Sequence, residues 1–175
     1  MAPKLTIEYD VIDVLHRTTT SRAKIVALTD ILAKDSVKRE FGKRYIARII
    51  DRTLDGIDKR SRDFKPYSIS YMKSQVFKAR RKSSDVNLKL TGDMQANIKV
   101  INLTDTGGVI AFGRKKENDK AHGHVFGGGA LPVRDFFGLP LKEQETIMRD
   151  VIREHQSDTL ESRIAFGLSL EASVA

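Results

Sequence analysis

Apolar and polar positions along the chain change period three times. Leu5, Ile7 and Tyr9 alternate with Thr6 and Glu8, which predicts a strand, while Val11, Ile12, Val14 and Leu15 fit a strand end or a helix. After the break RTTTSR, Ile25, Leu28, Ile31 and Leu32 recur at helical spacing and predict a short helix from about Arg22 to Ala33. A longer helix follows, capped by Asp35 or Ser36 and reaching about Asp58. Val37, Phe41, Tyr45, Ile49 or Ile50, Leu54 and Ile57 form its apolar face, and Lys38, Arg39, Lys43, Arg44, Arg48 and Arg52 lie opposite. Gly42 interrupts it at a propensity cost of roughly 1 kcal/mol relative to Ala. Pro66 forces a connection, after which Ser68 or Ser70 caps a third helix with Ile69, Met72, Val76 and Ala79 inward.

From Asp85 the period becomes two. Val86, Leu88 and Leu90 alternate with polar residues as in a half-buried strand, and NIKVINL and GGVIAFG flank Thr104–Gly107 as an antiparallel hairpin. RKKENDK reads as a polar loop and AHGHVFG as a short strand ending in three glycines. Pro140 at the first helical position, with Glu143 and Glu145 in the first turns, opens a helix through Ile147, Met148, Val151 and Ile152. The expected fold class is α+β: N-terminal helices over 20–82, a small antiparallel sheet over 85–130, and a C-terminal helix over 140–155. These form one domain over 1–155, and 156–175, with Leu160, Ile164, Phe166 and Leu168, reads as an extended tail.

Composition narrows the function classes. The chain contains no Cys, which excludes disulfides, thiol redox chemistry and thiolate zinc sites. No run approaches the ~20 apolar residues that span a bilayer, and acidic residues interrupt MAPKLTIEYDVIDV where a signal peptide needs an apolar block. A soluble, non-exported protein with no membrane partner is therefore expected. The net charge of +8 is unevenly placed: nine Lys and Arg against one acid from Lys59 to Lys82, but seven acids against three arginines from Glu143 onward. The basic window, with Lys73, Lys78, Arg80, Arg81 and Lys82 on its outer side, can face nucleic acid, the acidic segment of a neighbouring subunit, or solvent. Phe64, Tyr67, Tyr71 and Phe77 interleave with these charges and could add stacking.

Catalytic patterns are weak. There is no GxSxG elbow, no GxxxxGK[ST] loop, no GxGxxG and no HExxH. His122 and His124, two apart on the expected strand, would point the same way. A metal-dependent nuclease or hydrolase there needs a third ligand from elsewhere, with Glu117, Asp119 and Asp135 nearby in sequence. The reading is a non-enzyme without cofactor. The stretch KAHGHVFGGGALPVRDFFGLP has instead the residues of an interface. Pro132 stiffens it, the three glycines let the backbone turn, Arg134 offers a fork of donors, and Phe136 and Phe137 supply apolar area, with Val133 among the residues expected at the contact. The alternative is that both phenylalanines plug the chain's own core, with Arg134 bonded to local carbonyls.

In order, PYSISYMKSQ, LKLTGDMQANI, KAHGHVFG and LPVRDFFGLPLKEQETIMRDVI resemble the Mu-like phage virion morphogenesis family. Its Pro-Ala-Arg-Pro-Phe-Leu-Gly type motif is matched by Pro132, Arg134, Phe136 and Gly138, with Val133, Asp135 and Phe137 as departures. Its Leu-Thr-Gly segment is matched by the strand running into Thr91-Gly92. The resemblance covers about Phe64 to Ile152. It implies a structural neck protein for tail completion or head–tail joining, assembled in the host bacterial cytoplasm and carried in the virion. Its implied partners are further copies in a homo-oligomeric ring, adjacent neck or tail proteins, and DNA in the channel through non-specific contacts. A small basic nucleic-acid-binding protein is the alternative.

Overall fold

The computed structural model of the chain describes residues 2–18, 28–79, 85–88, 92–128 and 131–172, the side chains of Thr18 and 157–172 excepted. The fold is α+β. Strand β1 (Thr6–Asp10) runs straight into helix α1 (Val11–Thr18), and a helical turn over 28–32 precedes the long helix α2 (Asp35–Leu54). Two short helices, α3 (Ile69–Lys73) and α4 (Gln75–Ala79), lead to α5 (Asp93–Ala96) and the hairpin β2 (Ile98–Leu103)–β3 (Gly107–Phe112). Helices α6 (Lys115–Phe126) and α7 (Leu141–Ala172) complete the chain. The sheet is antiparallel in the order β1-β3-β2, so the first strand closes on a hairpin some hundred residues later, Tyr9 standing opposite Gly108.

Alternation made β1 a strand, and Asp10 ends it. Its Oδ1 accepts hydrogen bonds from the backbone N–H groups of Ile12 and Asp13, both at 2.8 Å, which caps α1 and settles the ambiguous run after it as helix. In α2 the expected face is buried at Val37, Phe41, Tyr45 and Ile49, while Leu54 is exposed. Two residues assigned to the outer face are not outside: Lys38 and Arg52 are 4% and 5% exposed. The Lys38 ammonium donates to the carbonyl of Thr104 at 2.9 Å and pairs with Asp35, tying the hairpin turn to the helix. Gly42 does more than weaken the helix. A Cβ there would stand 2.6 Å from both the Tyr9 hydroxyl and Val100 Cγ2, so its absence lets α2 approach the sheet closely. Gly108 meets the same phenol from the sheet side. In this slot the Tyr9 hydroxyl donates to the Lys38 carbonyl at 2.9 Å, and burial pushes its pKa up to about 12.

Central β3 is buried on both faces at Ile110, Ala111 and Phe112. α2 packs on β2 and β3, α7 packs on α2 and α1, and α6 packs on β3 and α5. The negative charge of α7 is partly met inside the chain: Glu143 pairs with Arg48 at 2.9 Å and lies 3.7 Å from Arg52, and Glu154 pairs with Arg44.

Further expectations need correction. Residues 85–88 are not a strand, because Leu88 takes φ of 50° and its carbonyl accepts from the Gln95 amide; Leu90 lies outside the described residues. The third helix is two, split at Ser74, whose extended backbone and Oγ begin α4 by accepting from Phe77 N. Its inner side is aromatic: Tyr67, Tyr71 and Phe77 pack with centroids 5.2–5.7 Å apart, leaving Ile69 and Val76 exposed. Finally, 115–126 is helix α6, not a loop and a strand. At the C-terminal end the helix begun after Pro140 does not stop near 155 but continues to Ala172. No described helix is long and apolar enough to cross a membrane.

Candidate functional site

The segment between α6 and α7 is held on three sides. From α2, Arg52 donates to the carbonyls of Phe136 (3.0 Å) and Gly138, and the Tyr45 hydroxyl accepts from Leu139 N at 3.0 Å. From the connection after α2, Lys59 pairs with Asp135 at 2.9 Å and its N–H donates to the Asp135 carbonyl. From α6, the carbonyl of His124 accepts from Arg134 N at 2.6 Å. Arg134 reaches back with Nε and Nη2 to the Lys65 carbonyl (3.1 and 2.9 Å) and with Nη2 to that of Pro66 (3.2 Å), its guanidinium 5.3 Å from the Tyr67 ring centre. Phe136 and Phe137 point inward, the latter 5.1 Å from Phe112 between ring centres.

Of the five residues expected at an interface, Arg134, Phe136 and Phe137 are therefore 3%, 0% and 5% exposed. They are core residues and a clamp, the alternative named with the interface: Phe136 and Phe137 cannot offer their side chains to a partner in this fold, and Arg134 spends Nε and Nη2 on the Lys65 and Pro66 carbonyls. Pro132 is half-buried and Val133 remains exposed. The exposed apolar side chains of this region are Phe126, Leu131 and Val133. Leu131 and Val133 sit at a glycine-rich corner, Leu131 Cδ1 3.5 Å from where a Gly123 Cβ would stand and Val133 Cγ2 3.2 Å from that of Gly127, and Phe126 precedes Gly127 in the chain. Val133 was expected at the interface; Phe126 and Leu131 were not, and their position on either side of the glycine run was the sequence signal for them.

The histidines do not form a site together. Two residues apart on a helix they diverge by roughly 200°: His122 packs on Phe126 at 4.6 Å between rings, and His124 turns toward Arg134. Burial, then the neighbouring Arg134 charge, push His124 down to about 4, so it is neutral near pH 7. Among the described residues no group of three or more His, Asp or Glu side chains is placed to hold a metal ion. In the basic window Lys73 and Lys78 are exposed, while Arg80, Arg81 and Lys82 lie outside the described residues. The rings that could stack on bases are largely engaged: Phe64 and Phe77 are buried.

Between Tyr67 and Tyr71 on one side and α5 and α6 on the other runs a groove of about 540 Å³, walled by Leu88, Met94, Gln95 and His124, with Arg134 beside them. Neither periodicity nor motif spacing brings these elements together.

The fold and this loop define a small α+β domain with a three-stranded antiparallel sheet and a clamped connection before a long C-terminal helix. Comparison of the chain with protein-family models, with curated proteins and with solved structures finds no match.

Proposed function

We propose that the chain is a structural protein of a phage virion, acting in tail completion or head–tail joining at the neck by association with copies of itself in a ring and with adjacent virion proteins. The observation that carries this reading is the ordered set of segments from PYSISYMKSQ to LPVRDFFGLPLKEQETIMRDVI, which resembles the Mu-like virion morphogenesis family. The geometry supports it with one change of residues. Phe126, Leu131 and Val133 are 62%, 48% and 48% exposed on a stretch whose backbone is pinned by Arg52, Tyr45 and Arg134. Burying a side chain of this size fully against a partner contributes roughly 1.5–3 kcal/mol, and clustered exposed apolar residues mark interaction surfaces. The test is complementation: phage encoding Leu131→Asp or Val133→Asp should make folded protein and few completed virions. Normal virion yield with both variants overturns the reading.

The rival is a non-specific nucleic-acid-binding protein, supported by exposed Lys73 and Lys78. It requires salt-sensitive retention on DNA that falls when both are changed to Glu. No retention at low salt removes it.

A further inference from the structure

Five charged side chains are buried among the described residues: Lys38, Arg52, Asp58, Glu117 and Arg134. Four have an ion partner in the chain: Lys38 with Asp35 at 2.9 Å, Arg52 with Glu143 at 3.7 Å, Asp58 with Arg62 at 2.7 Å and Glu117 with Lys120 at 2.8 Å. Arg134 alone among them has no carboxylate at ion-pair distance among the described residues. Carbonyl dipoles and the Tyr67 ring face its Nε and Nη2 edge, and Nη1 donates to no atom of the described residues. A buried charge without a counter-ion is costly, and neutral dipoles offset that cost only in part.

The arginine lines the 540 Å³ groove, a volume typical of ligand sites. Two further polar atoms in its wall lack partners. Gln95 is 6% exposed; its amide nitrogen donates to the Leu88 carbonyl at 3.1 Å, while Oε1 has no donor. His124 Nδ1 is likewise buried and unpartnered. The rest of the wall is mostly apolar or aromatic, with Ser68, the Asp93 carboxylate and the two ammonium groups of Lys116 and Lys120 also lining it. The groove thus presents a cation lacking an anion, an acceptor lacking a donor, and apolar walls between.

We propose that this groove binds the carboxyl end of a peptide with an apolar last side chain. The carboxylate meets the free edge of Arg134, a peptide N–H meets Gln95 Oε1, and the side chain packs among Tyr67, Tyr71, Leu88 and Met94. A bare phosphate supplies the anion but neither the donor nor the apolar body, so it leaves two of the three features unmet. The proposal is independent of the assembly reading, because it concerns binding by the purified chain.

Calorimetry with the full chain tests it, using a hexapeptide ending in phenylalanine, the same peptide amidated at its C-terminus, N-acetylphenylalanine and inorganic phosphate. The free acid should bind, and the amide should bind roughly tenfold to hundredfold more weakly, the loss expected for a charge-assisted pair. The acid should also shift the NMR signals of the Arg134 Nε–H and the Gln95 side-chain amide. Arg134→Gln should abolish the preference for acid. Since Arg134 also braces the fold, exposed Lys116→Glu is the second variant, and it should weaken the acid but not the amide. Equal binding of acid and amide, no binding of either, or shifts confined to residues outside the groove overturns the proposal. Phosphate binding without peptide binding overturns it in favour of a phosphate site, and N-acetylphenylalanine binding without the hexapeptide overturns the peptide source.

Discussion

Replacing Gly42 by Ala separates local propensity from packing, because the two predict opposite signs. In an exposed helix the substitution stabilises by roughly 1 kcal/mol. Here the new methyl stands 2.6 Å from the Tyr9 hydroxyl and 2.6 Å from Val100 Cγ2, well inside contact distance. Neither neighbour can swing away. Tyr9 is 4% exposed and holds the Lys38 carbonyl, and Val100 is β-branched and pinned in β2. Overpacking of this kind costs about 1–3 kcal/mol, and displacing the Tyr9–Lys38 bond adds about 1. Against the propensity gain, the variant should lose about 1–3 kcal/mol, and each kcal/mol lowers the melting temperature by roughly 2–4 °C at this chain length. Urea unfolding followed by far-UV circular dichroism measures it. Tyr9→Phe in the Gly42→Ala background should recover part of the loss by removing one clashing atom, so the pair should couple favourably. A Gly42→Ala protein as stable as the parent refutes the close approach of α2 to the sheet.

Three further outcomes follow from named contacts. Arg134→Lys should destabilise by about 2–3 kcal/mol in denaturant titration, since a lysine cannot fork across the Lys65 and Pro66 carbonyls. His124, held near 4 when folded against 6.5 when unfolded, leaves only the unfolded chain protonated between those values. Its contribution is complete above pH 6.5, declines as pH falls toward 4 by up to about 3 kcal/mol, and should vanish from the pH profile of His124→Gln. Asp10→Ala removes the cap of α1 and should cost about 1 kcal/mol by the same titration, with Asp10→Asn retaining most of it.

Where burial coincided with hydropathy, the chain was readable. The faces of α2 and α7, the alternation of β1 and the turn between β2 and β3 followed period and glycine placement alone. Helix α6 was not readable because its inward face is polar. Glu117 and Asn118 are buried beside Ala121, the one with Lys120 and the other bridging Leu5 N and the Pro3 carbonyl. A helix whose buried positions are Glu and Asn has no apolar stripe to detect. Lys38 and Arg52 were placed outside α2 for the same reason, since the carbonyls that receive them lie 66 to 86 residues away.

The motif around Arg134 shows why residue type alone could not separate an interface from a core. Arginine and phenylalanine serve both, one through forked donors and the other through apolar area. Position decides, and here it is set by Tyr45, Arg52 and Lys59, none of which belongs to the motif. The division of labour has an energetic consequence for the proposed assembly. A loop held at Asp135, Phe136, Gly138 and Leu139 has already lost its conformational freedom on folding. Leu131 and Val133, on the same segment as these anchors, can be covered by a partner with little further ordering of the backbone. If docking instead required that segment to order, its affinity would show a strong entropic penalty and a large change on stiffening; with the clamp intact, loosening it through Tyr45→Phe should weaken association even though Tyr45 is buried away from the exposed pair.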